Sequence, residues 1–325
     1  MRIKIEEIRQ LCADVCLKLG LTKENAEIVV DEYLYGELTG KKSHGFSSFV
    51  GFAVKKIKSR KGDWKIVKED EAYALIDGNG NLGQLVGKFA MELAVKKARK
   101  TGIALVGMNG MESYLMPGYY AKMASDKGMI GFVIDNAKSR VAPFGGTEPR
   151  LGANPIGLAI PTKDVSFVLD MATSMRAMGE VRLCKKLGKL LPGGMALDGE
   201  GNPTTNPDEV KALRSFGGYK GYGLCLAIEI LAGSFIRAKM GSKIRSGLDR
   251  GYLFLAINPE IFVDLDTFKK EISDLIQEIK SCKKEEGVEE ILIPGEMAQR
   301  NMEENLKRGY LEIDDKIVGE IKGLL

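Results

Sequence analysis

The sequence predicts an α/β protein with a helical subdomain at its N-terminus. The first seventy residues have a helical pattern, strands alternate with helices from residue 72, and a long apolar helix precedes a further strand and helix. With 325 residues and 44% hydrophobic composition, the chain can bury one large core or two modest ones. We expect a helical subdomain of residues 1–70 plus about 297–325, and an α/β domain of residues 71–296.

Two amphipathic helices are predicted near the N-terminus. The first places on one face Ile5, Ile8, Cys12, Val15 and Leu19. The second follows a cap at Thr22 and places on one face Ala26, Val29, Val30, Tyr33 and Leu34. We expect the final helices of the chain to pack back on these two.

The middle of the chain alternates between the two kinds of element. The pattern gives strands at 72–76, 103–107 and 129–135, with helices at 84–101 and near 118–127. Residues 137–207 are rich in Gly, Pro and Thr, with strand-like runs at 157–161 and 166–169 among functional or disordered loops. A helix at 222–238, a strand at 252–257, a helix at 266–280 and a charged helical end from 296 complete the pattern.

Charge and cysteine usage exclude several classes of protein. The 48 basic and 44 acidic residues are interleaved, which is typical of a mixed solvated surface rather than a nucleic-acid-binding face. The five cysteines form no CxxC pair, so we expect reduced thiols and no metal site. The start shows no signal-peptide core, and the apolar stretch 221–235 contains Glu229 and is shorter than the ~20 residues of a membrane span. These features predict a cytoplasmic protein without nucleic-acid or membrane partners.

One glycine motif matches a dinucleotide-binding fingerprint in form. Gly78, Gly80 and Gly83 have the GxGxxG spacing after a predicted strand and at the start of a helix. The next strand ends in Met108-Asn109, however, and supplies no acid to hold a ribose hydroxyl. A tight structural turn is therefore favoured over a Rossmann site.

A second glycine cluster, at residues 216–223, precedes the apolar helix and includes Lys220. Free backbone N–H groups at a helix start, together with a lysine, favour phosphate binding over a merely flexible loop. The segment Asp170–Ser174 follows a strand, where loops of α/β proteins commonly meet ligands.

The chain contains a single histidine, His44, between Ser43 and Gly45. A lone histidine is usually structural, but reduction of a ketone or imine needs a proton as hydride arrives, and a pKa of about 6.5 suits that exchange. We expect Ser43 and Asp170 to orient the ring as donor and acceptor.

Nine motifs occur in the order found in one enzyme family. They are residues 43–45, 77–84, 118–121, 141–146, 152–156, 170–174, 203–207, 217–223 and 293–296. Over nearly its whole length the chain resembles the type-2 malate/L-lactate dehydrogenases, a family with malate, sulfolactate, lactate, ureidoglycolate and diketogulonate dehydrogenases and cyclic imino-acid reductases.

The resemblance implies a homodimer with a non-Rossmann, mixed-sheet, sulfolactate dehydrogenase-like α/β fold, in which C-terminal helices join the N-terminal helical subdomain. It implies a small-molecule substrate and NAD or NADP as cofactor, without saying which. Its catalytic residues match His44, Ser43 and Asp170. Its cofactor-binding residues match Asp170, Met171, Ala172, Thr173, Ser174, Lys220, Gly295 and Glu296.

Two departures from the family pattern fall in the implied site. Ser113 stands where many members have a second catalytic histidine, and Ser48 stands where an arginine pairs with the substrate carboxylate. Loss of an arginine–carboxylate contact of roughly 1.5–3 kcal/mol weakens 2-oxo-acid binding about tenfold or more. Arg140 and Arg176, with Lys138, are candidates to supply the missing charge.

The resemblance therefore predicts an NAD(P)-dependent oxidoreductase that acts on a small 2-hydroxy/2-oxo acid, with His44 as acid and base. Two alternatives stay open. One is a reductase of cyclic imino acids such as pyrroline- or piperideine-2-carboxylate. The other is a cofactor-binding relative that has lost the family reaction.

Overall fold

Ten helices and twelve strands run through the part of the chain that the computed structural model describes, residues 1–164 and 167–325. The helices are α1 (Ile5–Lys18), α2 (Lys23–Leu38), α3 (Lys55–Ser59), α4 (Gly83–Thr101), α5 (Pro117–Ser125), α6 (Met178–Leu187), α7 (Tyr219–Leu231), α8 (Leu265–Ser281), α9 (Glu296–Arg308) and α10 (Asp315–Lys322). The strands are β1 (Arg2–Lys4), β2 (Lys65–Glu69), β3 (Tyr73–Asp77), β4 (Ile103–Asn109), β5 (Ile130–Asp135), β6 (Ile156–Ile160), β7 (Phe167–Met171), β8 (Ala196–Leu197), β9 (Pro203–Thr204), β10 (Ala212–Leu213), β11 (Gly251–Ile257) and β12 (Tyr310–Glu312).

A seven-stranded mixed sheet with the order β2-β3-β4-β11-β5-β6-β7 forms the centre of the molecule. Only β3 and β4 run parallel among these neighbours, and α4 connects them. The central strands β4 and β11 are mostly buried because helices cover the sheet, with α4 and α5 on one face and α7 on the other. The predicted α/β class and the mixed, non-Rossmann sheet are confirmed.

The two ends of the chain share one core. α1, α2 and α3 pack in a single hydrophobic cluster with residues of β12 and α10, and β1 pairs with β12 in an antiparallel ladder. Thr22 caps α2 by accepting a hydrogen bond from the Asn25 N–H at 3.2 Å, as the sequence predicts. This core also includes Leu82 and Leu85 at the start of α4, so the helical region is packed directly on the sheet region.

Several predicted elements need correction. The first seventy residues are not wholly helical, because β1 and β2 lie within them. β2 lies at the edge of the sheet, and all of its residues are exposed. Its Lys-Ile-Val-Lys-Glu sequence therefore shows no periodic signal of burial. Helix α6 lies within the segment predicted as loops and strands. The strand predicted from Ser166 begins outside the described residues.

The apolar helix is shorter than predicted. α7 ends at Leu231, where the prediction ran to residue 238, and Gly233 precedes a short 3-10 turn. Within the described chain, one stretch, Tyr219–Ile236, is long and apolar enough by composition to cross a membrane, with 39% of it buried. Glu229 in this stretch is buried and accepts hydrogen bonds from Asn154 Nδ2 and the Gly241 N–H, both at 2.7 Å. α7 also packs on the sheet, through Leu224 and Ile228.

The GxGxxG motif forms a tight turn against the loop that follows β4. A Cβ added at Gly78 would lie 2.4 Å from Met111 Cβ, and one at Gly83 would lie 2.2 Å from the Glu112 carbonyl oxygen. The glycines are therefore needed for close backbone approach between the start of α4 and residues 111–114. This packing agrees with the interpretation of the motif as a structural turn.

Candidate functional site

His44 lies on a 3-10 turn, Lys42–His44, that is held against the end of α2. The turn comes so close to the helix that a Cβ at Gly36 would lie 2.6 Å from the His44 carbonyl oxygen. The buried Glu37 carboxylate accepts a hydrogen bond at 3.1 Å from the Phe46 N–H, just beyond the turn. The backbone around His44 is thus fixed by the helical region.

The imidazole is half-buried, and its Nδ1 lies 3.1 Å from the Ser43 hydroxyl oxygen. Burial lowers the pKa of His44 below its ordinary value of 6.5, because the charged ring is poorly solvated. The nearby Asp170 carboxylate opposes this effect, while Lys41 and Arg182 add to it. At neutral pH the ring is therefore a neutral base.

Asp170, near the end of β7, is brought to this turn by the fold. Its carboxylate forms an ion pair with the Lys41 ammonium group, across 129 positions of sequence. A Cβ at Gly118 would lie 2.5 Å from Asp170 Cβ, so the start of α5 also closes on this side chain. In the described structure the carboxylate is bonded to Lys41 and acts on the His44 ring through its charge, so its role as an acceptor for the ring stays a prediction.

The segments predicted to bind cofactor meet along β7 and its continuation. Thr173 donates hydrogen bonds from its N–H and its hydroxyl to the Ala153 carbonyl oxygen, at 2.8 and 2.9 Å. The Val168 N–H donates to the Pro294 carbonyl oxygen at 2.9 Å, which places Gly295 and Glu296 beside the strand that carries Asp170. The other residues predicted to bind the cofactor, Met171, Ala172 and Ser174, lie at the end of β7 and directly after it.

Glu296 is itself held within the structure. It forms ion pairs with Lys280 and Arg300, and it accepts a hydrogen bond from the Ile293 N–H at 3.1 Å. Gly295 has a φ of 96°, a left-handed conformation that favours glycine, immediately before α9. The turn at 293–296 is therefore rigid, with its backbone placed beside β7.

A cavity of about 130 Å³ lies at the Glu296 end of this row, and a larger one of about 490 Å³ lies at the other end, beside Met175. The larger cavity is lined by Arg214, Ser215 and Gly218, and by the glycine-rich loop 142–147. The Ser215 hydroxyl is buried and has no hydrogen-bond partner in the described structure. The predicted Lys220 is exposed in the first turn of α7, two residues after Gly218.

The remaining predicted residues lie in different surroundings. The Ser48 hydroxyl donates to the Gly45 carbonyl oxygen at 3.0 Å, within its own turn. Arg176 is exposed and forms an ion pair with Glu180 at 3.6 Å, and Arg140 is exposed on the loop before β6. Among the described residues, no hydrogen bond or ion pair joins either arginine to His44.

Ser113 has a partner that sequence reasoning missed. It is buried, and both its carbonyl oxygen and its hydroxyl accept hydrogen bonds from the buried Lys56, the latter at 2.9 Å. A signal for this contact was present, because Lys56 lies seven residues after Phe49 and three after Ala53, on the apolar face of a helical run. No comparable pattern indicates the Lys41–Asp170 pair, since its partners are remote in sequence.

Comparison with known proteins gives one consistent result. A family model for malate/L-lactate dehydrogenase matches residues 3–322. The malate/(S)-sulfolactate dehydrogenase of Methanothermus fervidus is 38% identical over 334 residues, covering 99% of this chain and 96% of that protein. The L-sulfolactate dehydrogenase of Methanocaldococcus jannaschii is 40% identical over 336 residues, with coverage of 99% and 96%. A solved structure of sulfolactate dehydrogenase from the latter organism matches with a TM-score of 0.92 and 39% identity, covering 100% of this chain and 96% of that chain.

Proposed function

The chain belongs to the malate/L-lactate dehydrogenase family, and from this premise we propose that it transfers hydride between NAD(P) and a small 2-hydroxy/2-oxo acid. Its relatives include malate and sulfolactate dehydrogenases and a ureidoglycolate dehydrogenase named for NAD+, which supports a nicotinamide-type cofactor. The single observation that carries the proposal is the position of His44. Its half-buried ring is bonded to Ser43 and lies in the electrostatic field of the Lys41–Asp170 pair, where a proton can be held or released.

The chemistry of the residues along β7 fits a nicotinamide cofactor. The unpartnered, buried Ser215 hydroxyl offers a hydrogen bond, Arg214 and the first turn of α7 with Lys220 offer positive potential to phosphate, and Gly218 leaves room for close approach. The adjoining cavity of about 490 Å³ falls in the ~300–1,000 Å³ range of small-molecule sites. We propose that this surface and residues 170–174 and 295–296 hold the cofactor, which supplies or accepts the hydride when bound.

His44 performs the proton step in this proposal. When a hydroxy acid is oxidised, the neutral imidazole accepts the hydroxyl proton, and the lowered pKa keeps the ring in that form at neutral pH. In the reverse direction the imidazolium donates this proton to the developing alkoxide. Ser43 fixes the ring through Nδ1, so Nε2 is the nitrogen left to face the substrate.

The test is to mix the protein with NADH or NADPH and follow oxidation of the cofactor with a panel of 2-oxo acids, cyclic imines and simple ketones. Turnover of sulfopyruvate, oxaloacetate or pyruvate is the expected outcome. Turnover confined to cyclic imines would contradict the proposal and identify an imino-acid reductase. Tight cofactor binding with no turnover across the panel would identify a relative that has lost the reaction.

A further inference from the structure

Lys56 is a buried lysine in unusual surroundings. Only 7% of the residue is exposed, and Nζ donates to the Ser113 carbonyl oxygen and to the Ser113 hydroxyl. The ring of Phe52 lies over the ammonium group at 5.1 Å. A lysine removed from water in this way normally has a carboxylate partner, because a buried charge without a counter-ion is strongly unfavourable.

Lys56 has no such partner within ion-pair distance among residues 1–164 and 167–325. Three charged groups face it from the neighbouring elements: Glu112 on the loop after β4, Glu32 on α2 and Arg250 before β11. Arg250 is paired with Asp135, and Glu32 directs one carboxylate oxygen to the backbone N–H groups of residues 115 and 116. The ammonium group of Lys56 thus lacks a bonded counter-ion.

The cations whose charges act on the His44 ring differ from Lys56 in this respect. Lys41 is paired with Asp170, whereas Arg182 is exposed and therefore hydrated. Water and acidic side chains already compensate these charges. Lys56 is the group for which an incoming anion would replace a missing interaction.

The surroundings of Ser113 add to the positive potential. The first turn of α4 is packed on this residue, since a Cβ at Gly83 would lie 2.7 Å from the Ser113 carbonyl carbon. The N-terminus of a 19-residue helix carries a partial positive charge of about half a unit. An ammonium group, a hydroxyl group and a helix start therefore converge at the same buried point.

We propose that Lys56 and the Ser113 hydroxyl form the subsite that binds the carboxylate of the substrate. The inference rests on the proposed function, and it assigns to Lys56 the charge that the chain lacks at Ser48. The bound carboxylate accepts hydrogen bonds from Nζ and from the Ser113 hydroxyl, and it becomes the counter-ion of Lys56. His44 is left to act on the reacting oxygen.

The protonation of Lys56 makes the subsite sensitive to pH. Burial lowers the pKa of Lys56 to about 8, while Glu112 opposes the shift. Below that value the group is an ammonium ion and binds an anion, and above it the neutral amine does not. Carboxylate affinity is therefore expected to fall as pH rises through about 8.

The experiment measures binding of oxalate, an unreactive dicarboxylate, to the full chain in the presence of NADH by isothermal titration calorimetry. We expect Lys56→Met to weaken oxalate binding at least tenfold and Ser113→Ala to weaken it severalfold. Lys58 is an exposed lysine on the same helix, so Lys58→Met is the matched control and should bind oxalate as the wild type does. The pH dependence of the wild type provides a measurement that needs no variant.

The proposal would be overturned by equal oxalate affinity in wild type and Lys56→Met, by loss of binding in Arg182→Gln instead, or by wild-type affinity that does not fall between pH 7 and 9. Absence of oxalate binding to the wild type would do the same. Because oxalate is not turned over, these results are separate from the substrate panel. If the subsite proposal fails, turnover is seen but Lys56→Met binds oxalate normally. If the proposed function fails, oxalate binds but no substrate in the panel is turned over.

Discussion

The turn at His44 and the interior around Lys56 hold their charged groups in opposite ways. At the turn, where side chains are partly exposed, Lys41 and Asp170 neutralise each other in an ion pair. In the interior, Lys56 and Glu32 are buried and neither forms an ion pair among the described residues. Burial raises the pKa of Glu32 to about 7 and lowers that of Lys56 to about 8. The difference shows that desolvation without pairing brings ordinary acids and bases into the physiological range.

The largest expected effect is at the turn. His44→Ala should lower turnover at least about 100-fold, because the chain contains no other imidazole to exchange the proton. Cofactor affinity should be unchanged, which NADH fluorescence titration would check. Lys42→Met, an exposed change on the same turn, is the control. Near-normal turnover by His44→Ala would remove the proton-transfer role from this region.

The next effect is on stability in the interior. Glu32 is fully buried, and its Oε2 makes no hydrogen bond of normal geometry, although the side chains of Gln84 and Tyr120 lie beside the carboxylate. The unfolded carboxyl ionises near 4.5 and the folded one near 7, so a penalty builds up between these values and is complete above pH 7. Glu32→Gln keeps an acceptor for the 115 and 116 N–H groups, and should raise the free energy of unfolding by up to about 3 kcal/mol at pH 8.

Urea unfolding at pH 5 and pH 8 checks this prediction. The gain from Glu32→Gln should be small at pH 5, where the folded carboxyl is protonated and little of the penalty has built up. Glu27→Gln, an exposed change on the same helix, should show no such difference. An equal gain at both pH values would mean that Glu32 is not desolvated as described.

The smallest effect tests the pairing at the turn. Lys41→Met removes a charge that lowers the pKa of His44 and frees the Asp170 carboxylate that raises it. The pKa of His44 should therefore rise, by less than about one unit. NMR titration of the ring protons gives the value directly, because the chain has one histidine. An unchanged or lower pKa would show that Asp170 and Lys41 do not control the ring.

Periodic patterns predicted much of the fold. The Thr22 cap of α2, the apolar faces of α1 and α2 and the alternation from β3 to β5 follow from spacing within short segments, where burial leaves a regular trace. The exposed edge strand β2 was missed because charged residues dominate it, and the amphipathic helix α6 was missed because it lies in a Gly- and Pro-rich segment interpreted as loops. The helix at α7 was predicted too long, since an apolar run does not show where Gly233 ends it.

The sequence by itself determined the family, the single histidine, and the replacements at Ser48 and Ser113. Tertiary structure alone decided which charges meet: Lys41 with Asp170 across the fold, and Lys56 with Ser113 beneath Phe52. The physical reason is that electrostatic effects depend on distance and on removal from water. Neither quantity is recorded along the chain for residues that lie 57 or 129 positions apart.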